Sequence, residues 1–256
     1  MRLAVLQMQS KAGDVTANLD RIAAAAVEAA AGGAELLVAP ELAVTGYGAG
    51  EAIRELAEPV DGPQVSRLTG IAVDAGLAVI AGFAERANGV LYNSAALVTA
   101  GGPPVVYRKS HLYGDYERDL FAAGDPTACV AGVAGLKVGM LVCYDVEFPE
   151  NVRRLSLAGA DLVAVPTALP AGPYSRMITE CVIPVRAFEN QIFVAYADLC
   201  GRDARFAYSG LSHIVAPDGA TLAIAPATGE ALLHANIDPG AYAQSRIENA
   251  YLRDLR

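Results

Sequence analysis

The sequence predicts a mixed fold, α/β or α+β with a large sheet content, in one domain over residues 1–256. Three observations carry that expectation. Short β-branched and aliphatic runs bounded by Gly, Pro or Asp recur along the chain and mix with segments of helical period. Apolar residues fill 54% of the 256 positions, ample for a substantial core, and no linker-like or low-complexity stretch divides the chain. Finally, Ala31-Gly-Gly-Ala-Glu-Leu-Leu-Val-Ala-Pro-Glu41 aligns without gaps to Leu157-Ala-Gly-Ala-Asp-Leu-Val-Ala-Val-Pro-Thr167, with four identities in eleven.

Residues 3–8 open the chain as a strand. A helix over 15–31 is entered from Asp14 and left through Gly32-Gly33, because Asp caps free N–H groups and Gly tolerates the conformations that end a helix. A second strand, 35–39, runs into Pro40-Glu41; a helix over 64–74 leaves through Gly76; 77–83, 94–98 and 105–109 read as strands. A strand over 137–143 then passes into a helix at 149–158 with Pro149 in its first turn. A strand at 162–165, a helix at 176–190 and strands at 192–197, 212–216 and 232–237 complete the order.

In both copies of the eleven-residue segment a helix runs through a Gly-Ala turn into a buried strand ending in Pro, and each copy is preceded by strand then helix. Any short αβ connection can look like this, so the alignment alone leaves a repeat of two β-α-β halves open. Its consequence is geometric. The two parallel strands of each half end on one sheet edge, where α/β proteins usually place chemistry. Glu41 ends the second strand of the first half and Cys143 the first strand of the second. Halves packed face to face by pseudo-symmetry would aim both into one cleft.

Composition narrows the function classes. A net charge of −9 without clustered Lys and Arg argues against nucleic-acid binding. Cys129, Cys143, Cys181 and Cys200 form no Cys-x-x-Cys pair, and His111, His213 and His234 show no ligand spacing, so reduced thiols, no metal and no cofactor are expected. The start lacks the pattern of a signal peptide and no apolar run is long enough to span a bilayer, so a soluble cytoplasmic protein with no membrane partner is expected.

The stretch Val142-Cys-Tyr-Asp-Val-Glu-Phe-Pro-Glu150 stands out because an apolar run stops on a cysteine and turns at once into a helix. By default a lone cysteine there is an inert small hydrophobe. At a strand-to-helix elbow, however, the thiol is exposed at the tip and the following N–H groups aim at a developing oxyanion. A thiol is only a few per cent ionised at neutral pH and needs a base or a cation beside it. Glu41, delivered by an apolar strand between Pro40 and Leu42, is a candidate base, and Lys109 at the end of the 105–109 strand is a candidate oxyanion partner. Glu117 follows in the polar loop Gly114-Asp-Tyr-Glu117, where surface exposure is the default. Strand alternation puts His111 on the face of Lys109, which makes it a rival base.

These motifs, in this order and spacing across nearly the whole chain, resemble the nitrilase superfamily of carbon–nitrogen hydrolases. The resemblance implies a four-layer αββα sandwich of two pseudo-symmetric halves and a Glu41–Lys109–Cys143 triad, joined by Glu117 eight residues after the lysine. It implies an amide substrate, hydrolysed to carboxylate and ammonia through a Cys143 thioester, with Glu117 orienting Lys109. Cys-Tyr-Asp-Val-Glu-Phe-Pro-Glu looks most like short-chain amidases, especially 5-aminopentanamidases and related stereoselective amidases. The carbamoylputrescine hydrolases and nitrilases of the same superfamily usually carry Trp after the cysteine, and this chain has no Trp. Leu169 stands where 5-aminopentanamidase-like sequences tend to have Asn, at the border of the expected pocket. Tyr47, Tyr144, Asp115, Glu147 and Thr167 are expected around the substrate, Asp115 or Glu147 as partner for an ω-ammonium group. A homodimer or higher oligomer is implied, with residues 246–256 and the helix near Pro184 at the interface. A catalytically silent binding protein is the rival of another class, and retention of all four acid, base and nucleophile positions argues against it.

Overall fold

Strands buried on both faces explain the near-continuous apolar runs of the sequence. The computed structural model describes residues 1–255. In the first sheet, β1 (Arg2–Gln7), β2 (Leu36–Val38) and β3 (Ala78–Ala87) run parallel, and β4 (Val90–Val98) and β5 (Val105–Arg108) extend it antiparallel. Helices α1 (Val15–Ala31) and α3 (Pro63–Ala75) cover one face, with the short α2 (Ala52–Leu56) between them in sequence; α4 (Gly114–Leu120) follows β5. Alternation sorts the two faces. Ala4, Leu6, Leu37 and Val79 pack with Leu19, Ile22, Ala25 and Ala29 of α1 and Leu68 and Ile71 of α3. Leu3, Val5, Leu36, Val38 and Ile80 point the other way and pack against the second sheet.

That second sheet repeats the plan. β7 (Leu136–Met140), β8 (Leu162–Thr167) and β9 (Phe193–Asp198) are parallel, and β10 (His213–Val215) and β11 (Thr221–Ile224) extend them antiparallel. The remaining strands complete the symmetry: β6 (Val130–Val133) lies antiparallel beside β7, as β12 (Ala231–Asn236) lies beside β1. The two six-stranded sheets therefore read alike, 12-1-2-3-4-5 and 6-7-8-9-10-11. Their outer helices are α1 and α3 on one side and α5 (Pro149–Leu157), α6 (Ser175–Met177) and α7 (Ile183–Asn190) on the other; α8 (Ala243–Glu248) closes the chain. This is the αββα sandwich with two pseudo-symmetric halves, and the aligned segments 31–41 and 157–167 occupy equivalent places, α1 into β2 and α5 into β8.

The element boundaries shift in instructive ways. The strand expected to reach Cys143 stops at Met140, and Cys143–Glu147 forms a 3-10 turn. β3 and β4 are longer than expected because Asn88 and Gly89, at φ 52° and 79°, make the tight hairpin turn that Asn-Gly favours. The loop expected around Glu117 is the helix α4. Most telling, the single helix expected over 176–190 is broken by a π-helical turn at Ile178–Val182, just ahead of Pro184. The Cys200 N–H bonds the Met8 carbonyl at 3.0 Å and Met8 bridges Leu199, tying the two sheets together near the site. Among the described residues no helix is long and apolar enough to cross a membrane.

Candidate active site

Glu41 is delivered by the turn after β2, and the turn depends on a glycine in the neighbouring strand. A Cβ on Gly82 would stand 2.3 Å from the Leu42 nitrogen and 2.6 Å from the Glu41 Cα. Only a bare backbone lets residues 40–42 lie against β3, where the Gly82 N–H bonds the Pro40 carbonyl at 3.0 Å. The Glu41 side chain is fully buried. Its Oε1 accepts from Lys109 Nζ and from Asn93 Nδ2, both at 2.7 Å, while Oε2 has no partner.

Lys109, just past β5, is also fully buried and reaches a second carboxylate, Glu117 Oε1, at 2.6 Å. Glu117 is held in turn by the Tyr47 hydroxyl at 2.8 Å and by the Tyr113 N–H, on Oε2, at 2.9 Å. An ammonium has three donors, so two carboxylates leave one free. Burial works against the charge of Lys109, but Glu117 and Glu41 outweigh it and hold the amine well above its usual value. Burial pushes the Glu41 carboxyl up to about 7 despite the opposing pull of Lys109. That value suits a base working near neutrality.

Cys143 begins the 3-10 turn at φ 45°, a left-handed conformation that a non-glycine residue adopts at a cost of about 1–3 kcal/mol. Asp145 holds the elbow. It is fully buried and accepts from the N–H groups of Val142, Ser110 and His111 and from the hydroxyls of Tyr107 and Ser110. It thereby fastens the elbow to the segment carrying Lys109. The Cys143 thiol is pushed well up, first by burial and then by Glu41, with Lys109 and the Ala168 N–H pulling the other way. That direction favours the protonated thiol, so attack from this sulphur would need a base to take its proton.

A cavity of about 400 Å³ reaches Cys143, lined by Tyr113, Tyr144, Glu147, Leu169, Pro170, Tyr174, Met177, Ile178 and Val182. Burial raises the Glu147 carboxyl, with Lys109 and Arg186 opposing. Arg186 spends its N–H groups on the carbonyls of Val146 (2.9 Å) and Glu147 (2.7 Å) and on Glu189 (2.9 Å), so the Glu147 carboxylate is left to the cavity.

The structure thus brings Glu41, Lys109 and Glu117 into direct contact beside Cys143 and puts Tyr144 and Glu147 on the cavity wall. Other expected substrate contacts lie elsewhere. Asp115 projects into solvent, its side chain 95% exposed and paired with Arg118, because it sits on the outer face of α4 while Glu117 faces in. Thr167 is buried and donates back to the Val165 carbonyl at 3.0 Å, and its own carbonyl accepts from the Glu41 N–H at 3.3 Å. Tyr47 is buried behind Glu117. His111 belongs to the elbow's support: Nδ1 lies 2.9 Å from Asp145 Oδ1 and the ring stacks on Phe148 at 3.9 Å. Glu150, on α5, is exposed at the surface, away from the cluster. Sequence reading missed Asn93, whose signal was a polar residue inside the apolar 90–98 run. It also missed Ala168 and the wall at 174–182, which nothing local marks. Among the described residues no three His, Cys, Asp or Glu side chains gather as a metal site requires.

Known proteins resemble this chain over most or all of its length. The carbon–nitrogen hydrolase family profile matches residues 2–247. A hydrolase of the pqqF 5' region of Pseudomonas protegens is 44% identical over all of this chain and 89% of its own length. An (R)-stereoselective amidase of a Pseudomonas species is 36% identical over 87% of this chain and 80% of its own. The solved amidase of Nesterenkonia sp. AN1 superposes with a TM-score of 0.87 at 34% identity, over 100% of this chain and 96% of that one, in a form whose active-site cysteine has added acrylamide. Another form of it, with butyramide bound, gives 0.85 at 35% identity over 100% and 97%. The chain belongs to the carbon–nitrogen hydrolase family, enzymes that act on carbon–nitrogen bonds other than peptide bonds.

Proposed function

We propose that the protein is an amidase that hydrolyses a small linear or ω-substituted carboxamide to a carboxylate and ammonia, working as one catalytic unit through a Cys143 thioester. One observation supports this most. A lysine clamped between two buried carboxylates leaves one oxygen of Glu41 unpaired beside a buried thiol that opens onto a cavity. The butyramide bound by a form of the Nesterenkonia amidase supports the same reaction class.

The steps follow from the groups present. Glu41 takes the proton from the Cys143 sulphur, and the thiolate attacks the amide carbon. The carbonyl oxygen becomes an oxyanion facing the free donor of Lys109 and the Tyr144 N–H. Glu41 returns its proton to the amide nitrogen, the C–N bond breaks and ammonia leaves. Water then gives a proton to Glu41 as it attacks the thioester, and collapse of the second intermediate expels the thiolate, which regains the proton. Glu117 keeps Lys109 charged and in place. The acyl group occupies the cavity, where the Glu147 carboxylate favours neutral or cationic tails, such as an ω-ammonium, over anionic ones.

An ammonia-release screen over amides, nitriles and N-carbamoyl amines, on wild type and Cys143→Ala, tests the reading. Release from ω-amino and plain short amides is expected, absent in the variant, with dicarboxylic monoamides poor; turnover of nitriles but not amides overturns it. We also place the protein in the cytoplasm as a homodimer or higher oligomer. Exposed Val185 on α7 and Ile247 and Tyr251 in the final segment support association, Tyr251 packing on Phe188 at 5.6 Å. Arg256, the end of the expected contact segment, lies outside the described residues. Light scattering that finds a monomer at micromolar concentration excludes that assembly.

A further inference from the structure

The helix that walls the cavity contains a break in its hydrogen bonding. After α6 the backbone widens over Ile178–Val182, and the Ile183 N–H reaches the Ile178 carbonyl five residues back. The next donor in that pattern belongs to residue 184, and Pro184 has no N–H. The Thr179 carbonyl is therefore left without a helical partner, because the Ile183 N–H that an α-helix would give it is already committed. Thr179 is fully buried, and a buried carbonyl with no donor is destabilising.

His213 supplies the donor from the second sheet. Its Nδ1 lies 3.0 Å from the Thr179 carbonyl oxygen and its Nε2 lies 2.8 Å from the Thr221 hydroxyl. A carbonyl only accepts, so Nδ1 carries the hydrogen and Nε2 accepts from Thr221; one neutral tautomer satisfies both ends. Burial lowers the pKa of His213 and favours that neutral form. The residue is rigidly placed, paired in the sheet with Tyr196 on one side and Ile224 on the other. Across the helix, Met177, Ile178 and Val182 line the cavity at Cys143.

We propose that His213 is a positioning residue for acyl-chain preference: by bonding the Thr179 carbonyl it pins the π-helical turn, so that Ile178 and Val182 stand at a fixed place opposite Cys143. The inference rests on the amidase reading. His213 touches neither the substrate nor the nucleophile, so its effect falls on the part of the substrate that reaches the wall and not on the chemical step.

The test compares acetamide with butyramide and adds hydrogen exchange of the amides at 178–187. In His213→Leu, kcat/KM for butyramide relative to acetamide falls about tenfold, the scale of a methylene contact in an apolar pocket, through KM and with kcat on acetamide kept. Exchange across 178–187 rises while the core strands stay protected. His213→Asn, whose amide N–H can take the place of Nδ1–H, restores the ratio. Equal losses on both amides, or faster exchange with an unchanged ratio, overturn the proposal. If His213→Leu does not fold, Pro184→Ala decides. It returns a backbone donor to the Thr179 carbonyl, so His213→Leu folds in that background and leaves the ratio unchanged, whereas continued failure or a persistent tenfold change overturns the pin. A wild type that releases ammonia from neither amide sinks the amidase reading, and unchanged exchange in His213→Leu sinks the pin, so the two failures are distinct.

Discussion

Residues 41 and 167 stand at equivalent points of the two halves, yet one is a buried carboxylate tied to a lysine and the other a threonine bonded to its own strand. The same holds one strand over. Leu3 pairs with Leu36 as Val138 pairs with Leu162, so Met8 in the first half corresponds to Cys143 in the second. Met8 continues along its strand to bridge Leu199, whereas Cys143 leaves at φ 45° into the elbow. The backbone is duplicated, and the side chains are divided: the first half contributes the buried charged groups and the second the buried thiol. Sheet pairing and core packing ask only for apolar residues at the right period, so they preserve symmetry. The proposed reaction needs a base and a nucleophile that differ, and the strand ends break the symmetry accordingly.

Exchanging what each half contributes sharpens this contrast. Cys143→Ala should have the largest effect, removing ammonia release to background, a loss of about 10⁴-fold or more; turnover within a hundredfold of wild type would transfer the nucleophile to another group. Glu41→Gln should lower kcat/KM by about 10²–10⁴-fold. Because the Glu41 carboxyl sits at about 7, wild-type activity should fall as pH drops through that value, where the group holds its proton and cannot take the thiol's. The variant should lose that acid limb, and an unchanged limb would assign it to a different residue. Lys109→Met should cost about 10²–10³-fold in kcat and also destabilise the fold, since two buried carboxylates lose their cation; thermal melts and kinetics separate the two effects. Tyr47→Phe removes one of the bonds to Glu117 and should lower kcat by about tenfold with KM little changed; a rise in KM alone would make Tyr47 a substrate contact after all. Thr167→Val, on the quiet side of the comparison, should change kcat/KM by less than about twofold and lose at most about 1 kcal/mol of stability.

The order of elements could be read in the sequence because it rests on local signals; the repeat was only suggested there and is carried by the matching strand orders of the two sheets. Periodicity, Asp14 before α1, Gly76 at φ 68° after α3 and the Gly-Ala turns before β2 and β8 are short-range features. The π-helical turn could not, since it arises where Pro184 removes a donor and a distant histidine replaces it. Glu41, Lys109, Glu117 and Cys143 could be named from their motifs, but Asp115 and Glu117 look alike in sequence and differ only in the face of α4 they occupy. Asn93 was hidden because its partner, Glu41, is 52 residues away in the chain.

By itself, then, the sequence determined the alternation of strands and helices and marked four candidate residues with reactive groups, while its eleven-residue alignment left the two related halves open. Tertiary structure alone decided that Lys109 lies between two carboxylates, that Glu41 keeps one oxygen free at a carboxyl pushed up to about 7, and that the cavity wall comes from an interrupted helix. The physical reason is range. Propensity and capping act within a few residues, whereas burial and charge pairing depend on which distant segments the two sheets press together.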